Sequence, residues 1–187
     1  MTLTTLDPNT ALVIIDLQKG IVALPAADLV GPVVAHSAAL AAAFRCHGLP
    51  VVLVNVTGGA PGRAEQSRSL AGLPEGWADL MAELDQQPDD ILVTKRTWGA
   101  FTGTDLEPQL RNRSVTQIVL AGVSTSAGVE STARHAHELG FNVTLAIDAM
   151  ADTNADAHAN SIARIFPRLG ETGTTDEVLA LLESSRG

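Results

Sequence analysis

The sequence predicts an α/β fold: a single domain built as a three-layer α/β/α sandwich around a parallel sheet. Short apolar runs rich in Val, Ile and Leu recur at 11–16, 51–56, 91–94, 118–121 and 142–147. Segments with helical spacing or loop composition separate them. Strands that alternate with helices in this way pair in parallel through right-handed crossovers, which lay helices on both faces of the sheet. The third observation is size. A chain of 187 residues, 45% hydrophobic and 18% charged, is long enough for one domain with a large core. No internal repeat, low-complexity tract or linker divides residues 1–187.

Each element has its own signal. Residues 11–16 form a continuous apolar run with β-branched side chains, the pattern of a strand buried on both faces, and Asp16 closes it. Residues 29–47 carry Val33, Val34, Leu40 and Phe44 among alanines and stop at Gly48 and Pro50, as a helix does. The second strand follows at 51–56. From Thr57 to Gly76 the composition turns to Gly, Pro, Arg, Glu and Ser without periodicity. A loop this long in a compact domain serves as a lid or as a subunit contact. Residues 77–84 read as a short helix, 91–94 as the third strand, and Lys95 leaves its end. Thr104 is expected to cap a helix over 105–113, with Glu107 as the partner in a capping box. The fourth strand, 118–121, turns at Gly122 into a helix over 126–139. The fifth strand, 142–147, ends in Asp148. A helix over 155–166, an edge strand at 169–172 and a helix over 175–183 complete the chain.

Parallel strands point their carboxyl ends the same way, and ligands of such sheets bind outside those ends. On that basis Asp16, Asn55, Thr57, Lys95, Ser124, Thr125 and Asp148 are expected on one rim. The turn after the fourth strand is the centre of interest. A helix that opens directly after a strand aims unpaired N–H groups and the positive end of its dipole above the sheet edge. The only thiol, Cys46, falls at the end of the first long helix, on the opposite rim, and is expected to be a small packed residue.

Charge narrows the partners. A formal net charge of −9 argues against nucleic acid and against anionic membranes, and points to a small-molecule substrate or another subunit. No apolar run reaches the roughly 20 residues of a spanning helix, and the first residues lack a basic segment followed by an apolar one. The reading is a cytoplasmic protein.

The motifs carry a resemblance. Asp-Leu-Gln after the first strand, Thr-Lys-Arg-Thr-Trp-Gly-Ala-Phe around Lys95, the Phe-x-Gly-Thr-Asp-Leu after it, and Gly-Val-Ser-Thr-x-x-Gly-Val-Glu-Ser-Thr-Ala-Arg resemble the isochorismatase-like hydrolase superfamily. The likeness spans 9–182. It implies a Rossmann-like, six-stranded, mostly parallel sheet between helical layers, a homodimer or larger assembly, and a cis peptide at Val123–Ser124. Most members use an Asp, a Lys and a Cys. Asp16 matches the first, Lys95 the second, and Gly128 stands at the Cys position. The thioester route of the family's amidases is therefore closed. The isochorismatase branch, some members of which also lack this Cys, implies another route: a carboxylic acid protonates a vinyl ether carbon, water captures the cation, and pyruvate leaves.

The residues permit that chemistry. Burial of Asp16 raises its pKa, as a general acid near neutral pH requires, and Lys95 lowers it. A substrate carboxylate would be held by Lys95 or by the amides around Ser126 to Gly128, where a glycine leaves space. A structural ion pair between Asp16 and Lys95 is the plainer alternative. Gln18 is expected to bind a substrate carbonyl or to cap a loop. Trp98 and Phe101 either wall the pocket or pack in the core or between subunits. Ser124 and Thr125 bond substrate or local backbone. Ser126 is the best substitute nucleophile, with no histidine base evident, since His36, His47, His135, His137 and His158 all fall on helices away from strand exits. No metal and no cofactor are expected. Asp148 and Asp152 read as caps and turn formers, and Glu130 with Arg134 as a surface or interface pair. Two further readings of function stand: a catalytically silent family member that binds a small molecule or protein, and an amide or ester hydrolase that uses water or Ser126.

Overall fold

The computed structural model describes residues 3–23, 27–66 and 72–186. Six strands form one sheet: β1 (Thr10–Ile15), β2 (Val51–Val56), β3 (Ile91–Lys95), β4 (Gln117–Val123), β5 (Asn142–Ala151) and β6 (Glu171–Gly173). Their order is β3-β2-β1-β4-β5-β6, and every pair is parallel. The chain winds outward from β1 to β3, then crosses to the other side of β1 to begin again at β4. The order reverses between β1 and β4, which is where such sheets open a crevice.

Two cores flank the sheet. Leu12 and Ile14 face one of them, with the long helix α2 (Ala27–Cys46) and the terminal helix α6 (Thr175–Arg186), through Val33, Leu40, Phe44, Val178 and Leu182. Ala11, Val13 and Ile15 face the other, with α3 (Leu106–Asn112) and α4 (Glu130–Glu138), through Leu106, Leu110, Ala133 and Ala136. The period-2 alternation of β1 thus feeds both cores, which is why its sequence is continuously apolar. Helix α2 is long and apolar enough over Leu29–Cys46 to cross a bilayer by length and composition. Here it lies against the sheet and α6, with Val30, Val33, Leu40 and Phe44 buried.

The structure departs from the sequence reading in several places. The helix expected over 77–84 is a set of turns ending in a single 3₁₀ turn, Ala82–Leu84. Its backbone groups bond across the chain instead of along it: Lys19 N–H donates to Asp79, Gly20 N–H to Trp77, and Met81 N–H to Leu17. Within it Leu80 forms a lone bridge with Gln18, next to the four-residue helix α1 (Lys19–Val22). Around Thr104 the capping box does not close. The Thr104 hydroxyl takes the Leu106 N–H, whereas Glu107 turns to Arg111, 3.6 Å away. The helix expected over 155–166 is α5 (Ala155–Asn160), continued by a π turn at Ser161–Ile165. Asp148 does not end β5. It sits at an irregularity inside a longer strand, and its carboxylate caps α6 by accepting from the N–H and hydroxyl of Thr175. Cys46 lies on the opposite rim as expected, but it is exposed and not packed. The part of the 57–76 loop at 67–71 lies outside the described residues.

Candidate active site at the β1–β4 crevice

Asp16 leaves β1 with a positive φ of 51°. That region is costly for most residues and least so for Asp and Asn. The turn is supported by two short backbone bonds, Asp16 N–H to Val54 O and Gln18 N–H to Asp16 O. On the adjoining strand Gly122 pairs with Ile15, and a Cβ there would lie 2.1 Å from the Ile15 carbonyl oxygen, so only glycine fits. The result is a close approach of β1 and β4 just below the carboxylate.

Lys95 reaches Asp16 from the end of β3. Its Nζ donates to Asp16 Oδ2 at 2.7 Å and to the Thr97 carbonyl at 3.1 Å. Both side chains are sealed from solvent, at 2% and 9% exposure. The other carboxylate oxygen, Oδ1, is buried and has no hydrogen-bond partner among the described residues. Burial drives the Asp16 pKa up from 3.8 to about 6 against the opposing pull of the Lys95 ammonium.

The turn after β4 closes the third side. The peptide Val123–Ser124 is cis. Thr125–Val129 then winds as a π turn before α4 begins at Glu130. In that turn Gly128 is buried, and a Cβ on it would stand 3.4 Å from Asp16 Oδ2 and 2.9 Å from Ile15 Cγ2. A side chain at 128 would therefore project at the Asp16 carboxylate. Thr132 accepts the Ala100 N–H and donates to the Gly128 carbonyl, which ties the loop after Lys95 to the turn that holds Gly128.

Asp16, Lys95 and Gly128 are thus brought together. Several other expected site residues bond protein groups instead. Gln18 is fully buried and acts as a clamp: its amide donates to Val56 O and Trp77 O and accepts from Val56 N–H. Phe101 is in the core, stacked on Phe141 and against His135. Trp98 is 67% exposed. Thr125 is fully buried and bonds His158 Nδ1 at 2.9 Å, and Ser126 donates both N–H and hydroxyl to Asp152 Oδ2. Of the three hydroxyls in this turn, Ser124's alone has no hydrogen-bond partner among the described residues. Asn55 bonds the Ala78 carbonyl, beside a small cavity it shares with Leu80 and Leu92.

Asp152, read from the sequence as a cap or turn former, accepts the Ser126 N–H and the Asn154 N–H, whereas the place of His158 at this turn is what sequence reasoning missed. The signal was position: only three residues separate the end of β5 from the start of α5, so the first turn of α5 must lie on the carboxyl rim. Among the described residues no group of three or more His, Cys, Asp or Glu could hold a metal ion. A cavity of about 680 Å³ opens at the opposite rim, but its arginines are engaged, Arg45 with Asp90 and Arg113 with Gln109.

Comparison with known proteins decides the family. Residues 10–177 match the isochorismatase domain. The chain belongs to the isochorismatase family. The isochorismatase family protein YecD of Escherichia coli O157:H7 is 47% identical over 186 residues, covering 93% of this chain and 96% of that protein. A solved isochorismatase family structure from Burkholderia thailandensis superposes with a TM-score of 0.90 at 44% identity, covering 96% of this chain and 98% of that one. Ureidoacrylate amidohydrolase RutB of Pseudomonas syringae pv. syringae is 32% identical over 169 residues, covering 74% of this chain and 69% of its own length. The protein is accordingly an isochorismatase-family hydrolase with the family's six-stranded α/β architecture.

Proposed function

We propose that this isochorismatase-family hydrolase cleaves a small, anionic enol ether by general acid catalysis from Asp16, without a cysteine nucleophile. One observation carries the reading. A carboxyl group whose pKa is pushed up to about 6 has one oxygen on Lys95 and the other buried without a hydrogen-bond partner among the described residues. At pH 7 about one molecule in ten holds that proton, enough for an acid whose pKa stays near the working pH.

In the proposed step the Asp16 proton goes to the methylene carbon of the enol ether, whose π electrons form the new C–H bond. The cation left on the ether carbon is captured by water, and the water's proton returns to Asp16. The resulting hemiketal breaks its C–O bond, and pyruvate and an alcohol leave. Lys95 stabilises the carboxylate formed between the two proton transfers. Gly128 leaves space over Oδ2 that a side chain would fill. Trp98 and the free hydroxyl of Ser124 are the proposed contacts with substrate. The same reading has the protein act in the cytoplasm as a homodimer or larger assembly, with no nucleic acid or membrane partner.

Amide hydrolysis is the second reading, favoured by the name of the RutB relative. Against its serine version, the Ser126 hydroxyl is held by a carboxylate, Asp152, and the nearby imidazole of His158 bonds Thr125 instead. Assaying isochorismate beside ureidoacrylate separates the two. Pyruvate from the first and no ammonia from the second is the expected pair of results. Ammonia alone would replace the proposal by amide hydrolysis, and neither product would favour the silent binder.

A further inference from the structure

The sheet has two edges, and the chain treats them differently. β6 is three residues long and tied to the N-terminal segment, where Thr4 donates its N–H and hydroxyl to the Glu171 carboxylate at 2.9 and 2.6 Å. β3 lies at the other edge, pairs with β2 alone, and keeps an unbroken register to Lys95. The devices that blunt an edge strand are missing from it. Its five residues, Ile-Leu-Val-Thr-Lys, hold no proline and no bulge, and their one charge, Lys95, is turned inward onto Asp16. On the other face Leu92 is 53% exposed, and Thr94 is exposed beside it.

The free backbone groups of this edge follow from one bond. Thr57 N–H donates to the Lys95 carbonyl, so Lys95 turns its backbone toward β2. Strand residues alternate, and Leu92 and Thr94 therefore turn their N–H and C=O groups outward. None of these four groups has a hydrogen-bond partner among the described residues. On the same face a cavity of about 190 Å³ lies between Leu92, Thr94, Asn55 and Leu80. Charge is divided along the segment: Asp89 and Asp90 precede the strand, and Lys95 and Arg96 end it. Asp89 and Arg96 are exposed, with no ion pair among the described residues, whereas Asp90 holds Arg45 and Lys95 holds Asp16.

We propose that a second copy of this chain pairs with the open edge of β3, antiparallel across a two-fold axis at Val93, so that the two sheets join into one. Leu92 then lies opposite Thr94 of the second copy, and Thr94 opposite its Leu92. Each such pair exchanges two hydrogen bonds, which uses all four outward groups of both strands. An axis at Leu92 would set Thr94 against Asp90, whose N–H is already given to the Gln87 carbonyl. An axis at Thr94 would need Arg96, which lies past the end of the strand. Charge agrees with the direction. Antiparallel pairing sets the acidic end of one segment beside the basic end of the other, and parallel pairing would set like beside like. Leu92 of the second copy also covers the cavity at Thr94. The contact is self-complementary and closes as a dimer. The proposal rests on the reading of the protein as a homodimer or larger assembly, and it names the surface that forms it.

Sedimentation equilibrium of the full-length protein tests the assembly and the surface separately. The wild type is expected at twice the chain mass or a larger even multiple. Thr94→Pro removes an outward N–H that no internal bond uses, and Leu92→Lys puts a charge on the exposed face of the edge. Each should raise the dissociation constant at least tenfold while the circular dichroism spectrum stays that of the wild type. If Thr94→Pro fails to fold, Leu92→Lys still decides, because its side chain is already half in solvent. Leu29→Lys, at the exposed leucine of α2, should leave the mass unchanged. Disulfide trapping in a Cys46→Ser background reads the register. Leu92→Cys chains co-expressed with Thr94→Cys chains should bridge at least tenfold faster than either chain alone. A monomeric wild type overturns both the assembly and this surface. An assembly unchanged in folded Leu92→Lys, or weakened by Leu29→Lys alone, stands while the β3 surface falls. Bridging as fast by either chain alone, or none in the mixture, overturns the pairing about Val93.

Discussion

Lys95 Nζ sits 2.7 Å from Oδ2 of Asp16, and nothing among the described residues bonds the other oxygen of that carboxylate. An ion pair this buried is not an efficient source of stability, because desolvating two charges offsets most of their attraction. What the arrangement does is hold a carboxyl group near its protonation point, with one oxygen fixed and one free.

A pH profile follows. The protonated form is the proposed acid, and burial raises the pKa to about 6. The value of kcat/KM should be level below about pH 6 and fall about tenfold per pH unit above it. A profile that rises through pH 6 would mean that Asp16 works as a base.

Stability carries the same titration. The folded chain holds the Asp16 proton more tightly than the unfolded chain, whose carboxyl titrates at the ordinary 3.8. The contribution is complete below that value and is lost as pH rises through about 6, by roughly 3 kcal/mol. Urea unfolding of the wild type and Asp16→Asn, compared at pH 4 and pH 7, should show this part of the pH dependence vanish in the variant. An unchanged dependence would put the Asp16 pKa near its ordinary value.

Lys95→Met should move the falling limb of the rate profile to higher pH, because the ammonium opposes the effect of burial. A limb that stays in place would show that Asp16 is not the group being titrated.

At Gly128 a methyl group would meet Ile15 Cγ2 at 2.9 Å and Asp16 Oδ2 at 3.4 Å. Overpacking costs about 1–3 kcal/mol, and the gain in helix propensity returns about 1 kcal/mol. Gly128→Ala should therefore lower the urea midpoint at an unchanged slope and reduce turnover by crowding the carboxylate. Turnover at the wild-type level would mean that the space above Oδ2 is not used.

Ser126→Ala and Cys46→Ser should leave turnover within about twofold of wild type. The first removes a hydroxyl bond to Asp152 worth about 1 kcal/mol, and the second changes an exposed thiol on the far rim. His158→Ala should cost about 1–3 kcal/mol in urea unfolding, since it leaves the fully buried Thr125 hydroxyl without its partner. A hundredfold fall in turnover for Ser126→Ala would restore the serine route.

Much of the fold was legible because β1, β2 and β4 are buried on both faces, which forces short apolar runs rich in β-branched residues, whereas the apolar stretch of α2 is long and rich in alanine. Strand direction alone put Asp16 and Lys95 among seven residues expected on one rim, and the family resemblance singled out those two; the bond between them is a contact the structure supplies. What stayed hidden depends on contacts between segments distant in sequence. The turns at 77–81 read as helix because their cross-chain bonds to Leu17, Lys19 and Gly20 leave no periodic trace. The choice for Gln18 between a substrate carbonyl and a loop cap stayed open in the sequence because the groups it bonds lie at Val56 and Trp77, 38 and 59 residues away. His158 looked remote because its partner, the Thr125 hydroxyl, lies 33 residues away.

The most direct test of the account is the release of pyruvate from isochorismate, measured with the wild type and with Asp16→Asn, whose amide still offers Lys95 an oxygen to bond. The account predicts release by the wild type and its loss in a variant that remains folded. Release at an equal rate by folded Asp16→Asn would contradict it and remove Asp16 from the chemistry.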